Sequence, residues 1–152
     1  FDMSDAFTNL PRDDIVNHTP DACPTLTQLT NTWYTTPSAS IWKDDADTYH
    51  HFKSQRGTTQ GCTMSAAIGA IALQPTLHKI RDTINQRIAH YNQTHGTNHT
   101  CHLHAYLDDM YLAIPTDYLT HALSTVKEEV GKAKLTLNIG KTEMCTTGTP
   151  HP

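Results

Sequence analysis

The sequence predicts an α+β fold in which helices pack on one face of an antiparallel sheet. Apolar segments with strand-like alternation, amphipathic segments with helical spacing and one tight turn predict it. The turn is the clearest sign, because only Asp108 and Asp109 separate two strand-like segments, which predicts a hairpin. The expected order is strand, helices, small hairpin, long helix, hairpin, helix and two strands, which is typical of a layered α+β domain.

The first part of the chain alternates short helices with a hairpin. Residues 1–4 have the pattern of a strand end, and a short helix is expected over about 11–17, with Pro11 in its first turn. Pro20 should interrupt the chain after this helix. The next helix and hairpin are marked by Leu26, Leu29 and Trp33 on one helical face and by strands at 40–42 and 49–53.

A long helix is predicted after the polar loop that contains Gly61. Its expected buried stripe consists of apolar residues at helical spacing, namely Met64, Ile68, Ile71, Leu77, Ile80, Ile84 and Ile88. Pro75 lies within this stripe and should kink the helix. Another amphipathic helix is expected to begin at Thr116, a suitable N-cap, and to end near Lys132. Strands at 135–139 and 143–145 should follow it.

Asp108 and Asp109 also indicate chemistry. Asn-Gly or Asp-Gly would form a two-residue turn with less strain, and two adjacent like charges repel each other. Fold stability gives no reason for this pair, whereas a divalent cation does. Two cations about 4 Å apart need carboxylates from more than one strand, and Asp2 is the best remaining candidate. By itself, Asp2 also fits a surface acid at a strand end.

The composition limits the classes of function. The 152 residues suffice for one domain with a modest core. The formal net charge is −4, with 11 Lys and Arg against 15 Asp and Glu, which is a poor balance for holding nucleic acid unaided. We therefore expect basic surfaces elsewhere in a parent protein. No apolar run is long enough to span a bilayer, so no membrane partner is expected.

Two further features bear on the origin of the chain. It begins with Phe1 and enters a motif at once, without a leader peptide, so we interpret it as an excised fragment. The cysteines lack the spacing of a zinc site or a disulfide framework, which favours reduced thiols in an intracellular protein of the nucleus or cytoplasm. They are Cys23, Cys62, Cys101 and Cys145.

Four short motifs occur in order along nearly the whole chain. They are Asp2-x-x-x-Ala6-Phe7, Gln60-Gly61-x-x-x-Ser65, Tyr106-Leu107-Asp108-Asp109 and Leu137-Asn138-x-x-Lys141-Thr142. In order and rough spacing they resemble the motifs of a reverse transcriptase palm from a retroelement, and the resemblance is closest to the non-LTR type. One departure is that Cys62 and Thr63 replace the acidic residue and proline usual in the family, which leaves the geometry of that loop open.

This resemblance implies a fold and a domain organisation. The expected fold is a polymerase palm, an antiparallel sheet of ferredoxin or RRM type with helices on one face and partial fingers. Residues 1–152 would form a single palm fragment in which 20–56 are a fingers-like insertion. The remaining fingers and the thumb would lie in the parent polyprotein, so the isolated fragment is expected to be inactive.

The resemblance also implies the catalytic groups. Asp2, Asp108 and Asp109, with the backbone carbonyl of Met3, would hold two Mg²⁺ ions, with Mn²⁺ as a substitute. The ions would activate the primer 3′-hydroxyl and neutralise the triphosphate of the incoming nucleotide. Lys141 would protonate or neutralise the pyrophosphate leaving group; a surface lysine in a turn is the other interpretation of this residue.

Further residues are implied to bind the nucleotide. Phe7 resembles the residue that lies under the deoxyribose and clashes with a 2′-hydroxyl, which predicts a preference for dNTPs; ordinary core packing is the alternative. Ala6 belongs to the same motif. Gln60 would contact the nucleotide or the template, and Gly61 would permit close approach of the backbone.

The implied function is RNA-directed DNA polymerisation, with an RNA template, a DNA primer and dNTPs as partners. Two alternatives stay open. One is an RNA-dependent RNA polymerase or a telomerase-like palm, and the use of dNTPs or rNTPs separates it from the first. The other is a non-catalytic, domesticated retroelement palm that binds only RNA or protein.

Overall fold

The computed structural model describes residues 1–59 and 61–145, and it combines helices with small antiparallel sheets. This confirms the predicted α+β class. The elements are β1 (Met3–Ser4), α1 (Ala6–Asn9), α2 (Arg12–Ala22), α3 (Thr27–Tyr34), β2 (Ser38–Lys43), β3 (Tyr49–Ser54), α4 (Ser65–His95), β4 (His102–Tyr106), β5 (Asp109–Ala113), α5 (Leu119–Lys132) and β6 (Thr136–Leu137). Short 3₁₀ helices occupy Pro24–Leu26, Thr116–Tyr118 and Ile139–Lys141.

The chain divides into two compact units. The first consists of Phe1–Ala6 and the residues from Leu73 onward, and the second is Phe7–Ala72. The insertion predicted at 20–56 lies within the second unit, and its assignment to polymerase fingers stays a prediction.

The first unit is built on two antiparallel ladders. The β4–β5 hairpin pairs His102 with Ala113 at its open end and Tyr106 with Asp109 at its turn. The β1–β6 ladder pairs Met3 with Leu137. A single antiparallel bridge between Asp2 and Asp109 connects the two ladders. The short strand β1 therefore lies between β5 and β6.

The apolar side of this sheet is covered by helices. The backbone N–H of Cys101, just before β4, donates to Oδ1 of Asn85 on α4 at 2.8 Å, which attaches the helix to the hairpin. A shallow cavity between α4 and the hairpin is lined by Leu77, His78 and Arg81 on one side and by Leu103 and Ala105 on the other. The fully buried side chains of the unit include Met3, Ile80, Ile84, Ile88, Met110, Val126 and Val130.

The second unit is organised around a buried arginine. Arg12, at the start of α2, is 7% exposed, and its guanidinium donates to the carbonyls of Gly57 and Thr36 at 3.3 Å. It also donates to the hydroxyls of Ser38 at 3.2 Å and Ser54 at 3.1 Å, which are paired at the base of β2–β3. One side chain thus attaches α2 to the hairpin and to the loop that follows it.

The turn between β2 and β3 is held by Asp44. Its carboxylate accepts hydrogen bonds from the backbone N–H groups of Ala46 at 3.0 Å and Thr48 at 2.9 Å, and it lies 2.9 Å from Nε2 of His50. The His50 contact, followed by the Thr48 N–H, lowers the pKa of Asp44. The Asp44 carboxylate thus connects the two strands at the turn.

Several helical predictions were correct and one was wrong. Ile68, Ile80, Ile84 and Ile88 are buried on α4 as predicted, and α4 continues through Pro75. Pro20 does not end α2, which continues to Ala22. Pro20 lacks only its own N–H donor, and the N–H of Cys23 still donates to the carbonyl of Thr19 at 2.8 Å, so the last turn of α2 forms around the proline.

The predicted buried face of α3 was also wrong. Trp33 is 43% exposed, whereas Thr30 and Tyr34 are buried. Thr30 can be buried because its hydroxyl donates to the carbonyls of Leu26 and Thr27, both at 3.1 Å, so that hydroxyl is satisfied within the helix.

The C-terminal strands are shorter than expected. Strand β6 contains only Thr136 and Leu137, and the next residues form a 3₁₀ helix. The second strand expected at 143–145 is not formed, since these residues have no regular secondary structure. The reason is local: the carbonyl of Asn138 accepts from the N–H of Lys141 at 3.2 Å, which turns the backbone out of the ladder.

Candidate active site

The site is built on the bridge between Asp2 and Asp109. The N–H of Met3 donates to the carbonyl of Asp108 at 3.1 Å, and the N–H of Met110 donates to the carbonyl of Phe1 at 2.9 Å. In an antiparallel ladder these bonds flank a non-hydrogen-bonded pair, in which the two side chains project from the same face and the Cβ atoms are about 4.5–5.5 Å apart. The register therefore places the carboxyl groups of Asp2 and Asp109 side by side.

The hairpin turn differs from the prediction by one residue. Because Tyr106 pairs with Asp109, the two central residues of the turn are Leu107 and Asp108, and Asp109 is the first residue of β5. Leu107 has a φ of 55°, a left-handed conformation that is uncommon for a bulky side chain. The strain of the turn is thus borne by Leu107, while Asp109 takes an extended conformation opposite Asp2.

The face that carries the two aspartates is open. Alternate residues of the hairpin share that face with Asp109, and all of them are exposed: His102, His104 and Tyr106 on β4, and Tyr111 and Ala113 on β5. His102 and His104 thus lie on the same face of β4 as Tyr106. On the opposite face, Met110 is fully buried. One face of the hairpin is therefore packed in the core, and the face that carries the aspartates is accessible to a large substrate.

The donor atoms fit a hard cation in kind, but the set is incomplete. Carboxylate oxygens are the ligands that Mg²⁺ prefers, and it usually takes one or two carboxylates together with water and phosphate oxygens. Across residues 1–59 and 61–145, no group of three or more His, Cys, Asp or Glu side chains is gathered closely enough to hold a metal ion. The bridge aligns Asp2 with Asp109, while Asp108 lies next to them in the turn.

The backbone of Met3 also points toward this turn. Its side chain is buried, and its N–H bonds to the Asp108 carbonyl. Since the N–H and C=O groups of an extended residue point to the same edge of a strand, the Met3 carbonyl is directed toward the hairpin as well. A backbone oxygen is therefore available on the same edge as the turn.

The fourth motif is tied to the strand that carries Asp2. The N–H of Asn138 donates to the carbonyl of Asp2 at 2.8 Å. The Asn138 carbonyl in turn accepts from the N–H of Lys141 and, at 2.9 Å, from the hydroxyl of Thr142. These bonds form a compact turn that begins at the Asp2 strand and presents the exposed side chain of Lys141.

The nucleotide-binding candidates are divided between the units. Ala6, in the first unit, is fully buried, so its side chain packs in the core. Phe7 and Gly61 belong to the second unit, and Gln60 lies outside the described residues. Gly61 has a φ of 81°, and a Cβ atom there would meet nothing within 4 Å, so the glycine serves the turn conformation.

The loop that carries Gly61 is closed by Ser65. The Ser65 hydroxyl donates to the carbonyl of Thr59 at 2.5 Å, and the N–H of Cys62 donates to the same carbonyl at 3.3 Å. The serine of the second motif therefore has a structural explanation, because it fixes the loop at the first turn of α4.

Comparison with known families decides the identity. The chain matches the family described as reverse transcriptase (RNA-dependent DNA polymerase) over residues 1–151. It belongs to the reverse transcriptase family. The resemblance to the reverse transcriptase family deduced from the four motifs is thereby confirmed. A comparison with curated proteins found no match.

Two observations complete the description of this reverse transcriptase domain. Within the described ranges, no helix has the length and apolarity needed to cross a membrane. Sequence reasoning missed two residues that shape the second unit, Arg12 and Gly69. Only Gly69 carried a sequence signal, since a glycine inside a helix costs about 1 kcal/mol relative to alanine and calls for a packing reason.

Proposed function

We propose that this chain forms the catalytic palm of an RNA-directed DNA polymerase that extends a DNA primer on an RNA template with dNTPs. The observation that supports it most strongly is the alignment of Asp2 with Asp109 on an open sheet face, in a chain of the reverse transcriptase family. Like charges placed directly opposite each other destabilise a ladder. A cation bound by both carboxylates would offset this repulsion.

The proposed metal ligands are the carboxylates of Asp2, Asp108 and Asp109 and the backbone carbonyl of Met3. When bound, two Mg²⁺ ions, or Mn²⁺ in their place, would lower the pKa of the primer 3′-hydroxyl and neutralise the triphosphate. The residues of this chain hold the carboxylates in register before substrate arrives. The substrate phosphates would complete a ligand set that the protein supplies only in part.

The other proposed roles concern the nucleotide. Lys141, on the turn anchored to the Asp2 carbonyl through Asn138, would meet the pyrophosphate leaving group as a cation or proton donor. Phe7 would lie under the deoxyribose and exclude a 2′-hydroxyl, while Gln60 and Gly61 would bound the nucleotide from the loop before α4. Further fingers and a thumb would hold the template and primer strands, because this chain carries a net charge of −4 and is poorly suited to hold nucleic acid unaided. We propose a retroelement of non-LTR type, acting in the nucleus or cytoplasm.

The test combines activity with metal-linked stability. The parent protein that contains this chain is assayed for primer extension on an RNA template, with dNTPs and in parallel with rNTPs. Asp109→Asn should reduce extension about a hundredfold or more, because several kcal/mol of charge stabilisation are lost. Asp45→Asn, in the exposed turn of β2–β3, is the matched control and should leave extension unchanged.

Thermal unfolding separates loss of chemistry from loss of fold. Without metal, Asp109→Asn should unfold at the same or a higher temperature than wild type, because the like-charge pair is removed. Added Mg²⁺ or Mn²⁺ should stabilise wild type and not the variant, since binding to the folded state shifts the equilibrium by mass action. Equal metal stabilisation of both proteins, together with undiminished extension, would refute the site. Faster use of rNTPs than dNTPs would refute the proposed substrate class.

A further inference from the structure

Phe7 is held against α4 at a glycine. Gly69 lies on α4, one helical turn after Ser65, and both residues are buried. A Cβ atom built on Gly69 would overlap Cδ1 and Cε1 of the Phe7 ring and lie 3.5 Å from Cγ. The ring therefore occupies the space that any other residue at position 69 would fill.

The backbone of Phe7 is fixed from a second direction. Its carbonyl accepts from the N–H of Thr58 at 2.8 Å and from the Thr58 hydroxyl at 3.5 Å. Gly57, with a φ of 69°, approaches so closely that a Cβ atom there would overlap the backbone carbonyls of Phe7 and Thr8. Its N–H also donates to the carbonyl of Leu10 at 2.7 Å. With the backbone clamped in this way, the ring has little freedom to follow a change at position 69 by moving the main chain.

We propose that Gly69 is a positioning residue that sets nucleotide discrimination, because its missing side chain fixes how deeply the Phe7 ring rests on α4. This inference rests on the role given to Phe7 above and adds a residue that has no motif of its own. Phe7 is half-buried, and Cδ1 and Cε1 of its ring are directed at Gly69. A methyl group at position 69 would displace the ring, and with the role proposed for Phe7 this displacement would change the space left for the sugar of the nucleotide.

The expected kinetic signature is a change in KM more than in kcat. Displacement of a contact group by about 1 Å can cost up to about a hundredfold in rate or binding, so Gly69→Ala should raise the KM for dNTPs about tenfold with kcat nearly unchanged. Phe7→Val should admit rNTPs. In the double variant Phe7→Val, Gly69→Ala, the dNTP KM should return to that of Phe7→Val alone, because the ring that was displaced is gone.

Gly131→Ala is the matched control. Gly131 also lies inside a helix, α5, and a Cβ atom there would meet nothing within 4 Å. This variant should leave the KM for dNTPs and the discrimination against rNTPs at wild-type values. A KM effect equal to that of Gly69→Ala would overturn the inference.

Thermal unfolding supplies a readout that does not need activity. Gly69→Ala should lower the melting temperature of the otherwise wild-type chain, since the methyl group overlaps the ring. In the Phe7→Val background the same change should raise it, because alanine is the better helix former. This reversal of sign is expected only if the ring and position 69 compete for one space. If Gly69→Ala alone does not fold, the double variant must fold, and its failure would overturn the inference.

The outcomes separate the two levels of the proposal. If Phe7→Val leaves rNTP exclusion unchanged, the role of Phe7 in the proposed function fails, whatever Gly69 does. If Phe7→Val admits rNTPs but Gly69→Ala changes neither KM nor discrimination, the inference about Gly69 alone is overturned. If the changes in melting temperature caused by the two substitutions are additive, so that Gly69→Ala has the same sign in the wild-type and the Phe7→Val backgrounds, the contact itself is refuted.

Discussion

Asp2 and Asp109 face each other as a non-hydrogen-bonded pair between β1 and β5, and this pair is the only connection that the register gives between the two ladders of the first described unit. The bonds on either side of the pair join Met3 to Asp108 and Met110 to Phe1. The two ladders are therefore joined where two carboxylates lie side by side. If the proposed function holds, this arrangement preorganises the pair as metal ligands at some cost in stability.

The strain in the hairpin turn should be measurable at Leu107. A left-handed conformation costs a non-glycine residue about 1–2 kcal/mol, and the entropy that glycine loses on folding offsets about 0.5–1 kcal/mol of any gain. We expect Leu107→Gly to raise the free energy of unfolding by up to about 1 kcal/mol in urea titrations. Leu123→Gly is the control, because Leu123 is similarly exposed but helical, and it should lower stability by about 1 kcal/mol. Equal losses in both variants would contradict the strain.

The buried guanidinium of Arg12 should be essential to the second unit. Arg12→Ala leaves the acceptors of Gly57, Thr36, Ser38 and Ser54 without their donor, and we expect it to lower the free energy of unfolding by about 3 kcal/mol or more. Arg12→Lys should not restore stability, since an ammonium group cannot reproduce the planar fork of donors. Urea unfolding followed by circular dichroism measures both.

The exposed Arg87 of α4 provides the comparison for Arg12. Arg87→Ala should change the free energy of unfolding by no more than about 0.5 kcal/mol. Full retention of stability in Arg12→Lys would show that charge, and not the geometry of the fork, accounts for the contribution of Arg12.

Two glycines should respond in opposite directions to the same substitution. Gly57 has a φ of 69° and lies against the backbone carbonyls of Phe7 and Thr8, so Gly57→Ala should destabilise the chain by more than about 1 kcal/mol. Gly131 is helical with open space around it, so Gly131→Ala should stabilise the chain by up to about 1 kcal/mol. Melting temperatures of the two variants check the signs, and a gain in Gly57→Ala would contradict the close approach.

Cys101 should be the slowest cysteine to react. It is 4% exposed, and burial, opposed in part by the charge of Arg81, raises the pKa of its thiol. Iodoacetamide at neutral pH should modify the exposed Cys145 first and Cys101 only after addition of urea, as mass spectrometry of peptides would show. Equal rates for the two in the native protein would contradict this burial.

The same shift has a consequence for stability. The folded chain holds the Cys101 proton more tightly than the unfolded chain, whose thiol titrates near the ordinary value of 9.0. The stabilising contribution of this thiol to the free energy of unfolding is therefore complete below pH 9.0, and it is lost as the pH rises above that value. Cys101→Ser should remove this part of the loss of stability at alkaline pH.

The sequence predicted those features that depend on local periodicity. Ile80, Ile84 and Ile88 were assigned correctly because a long helix repeats its apolar residues many times, so one irregular position does not change the result. The face of α3 was wrong by one position because the helix is short and because Thr30 can satisfy its hydroxyl within the helix.

Features that depend on contacts between distant residues could not be predicted. The motif located the aspartates, but the choice of Leu107 and Asp108 as the turn follows from the pairing of Tyr106 with Asp109, and no residue of the turn reveals it. Arg12 gave no indication, and the glycine at position 69 signalled a close contact without revealing its partner, because the partners of both residues are more than 20 residues away and belong to different elements.

The one-to-one pairing of Asp2 with Asp109 makes the hairpin intolerant of changes in length. Successive side chains of a strand point to opposite faces, so one inserted or deleted codon between Tyr106 and Asp109 would send the carboxylate to the buried side. The connection at 96–100 between α4 and β4 has no such register to keep. Evolution of this hairpin is thus expected to proceed by replacement of residues, with gaps confined to the connections around it.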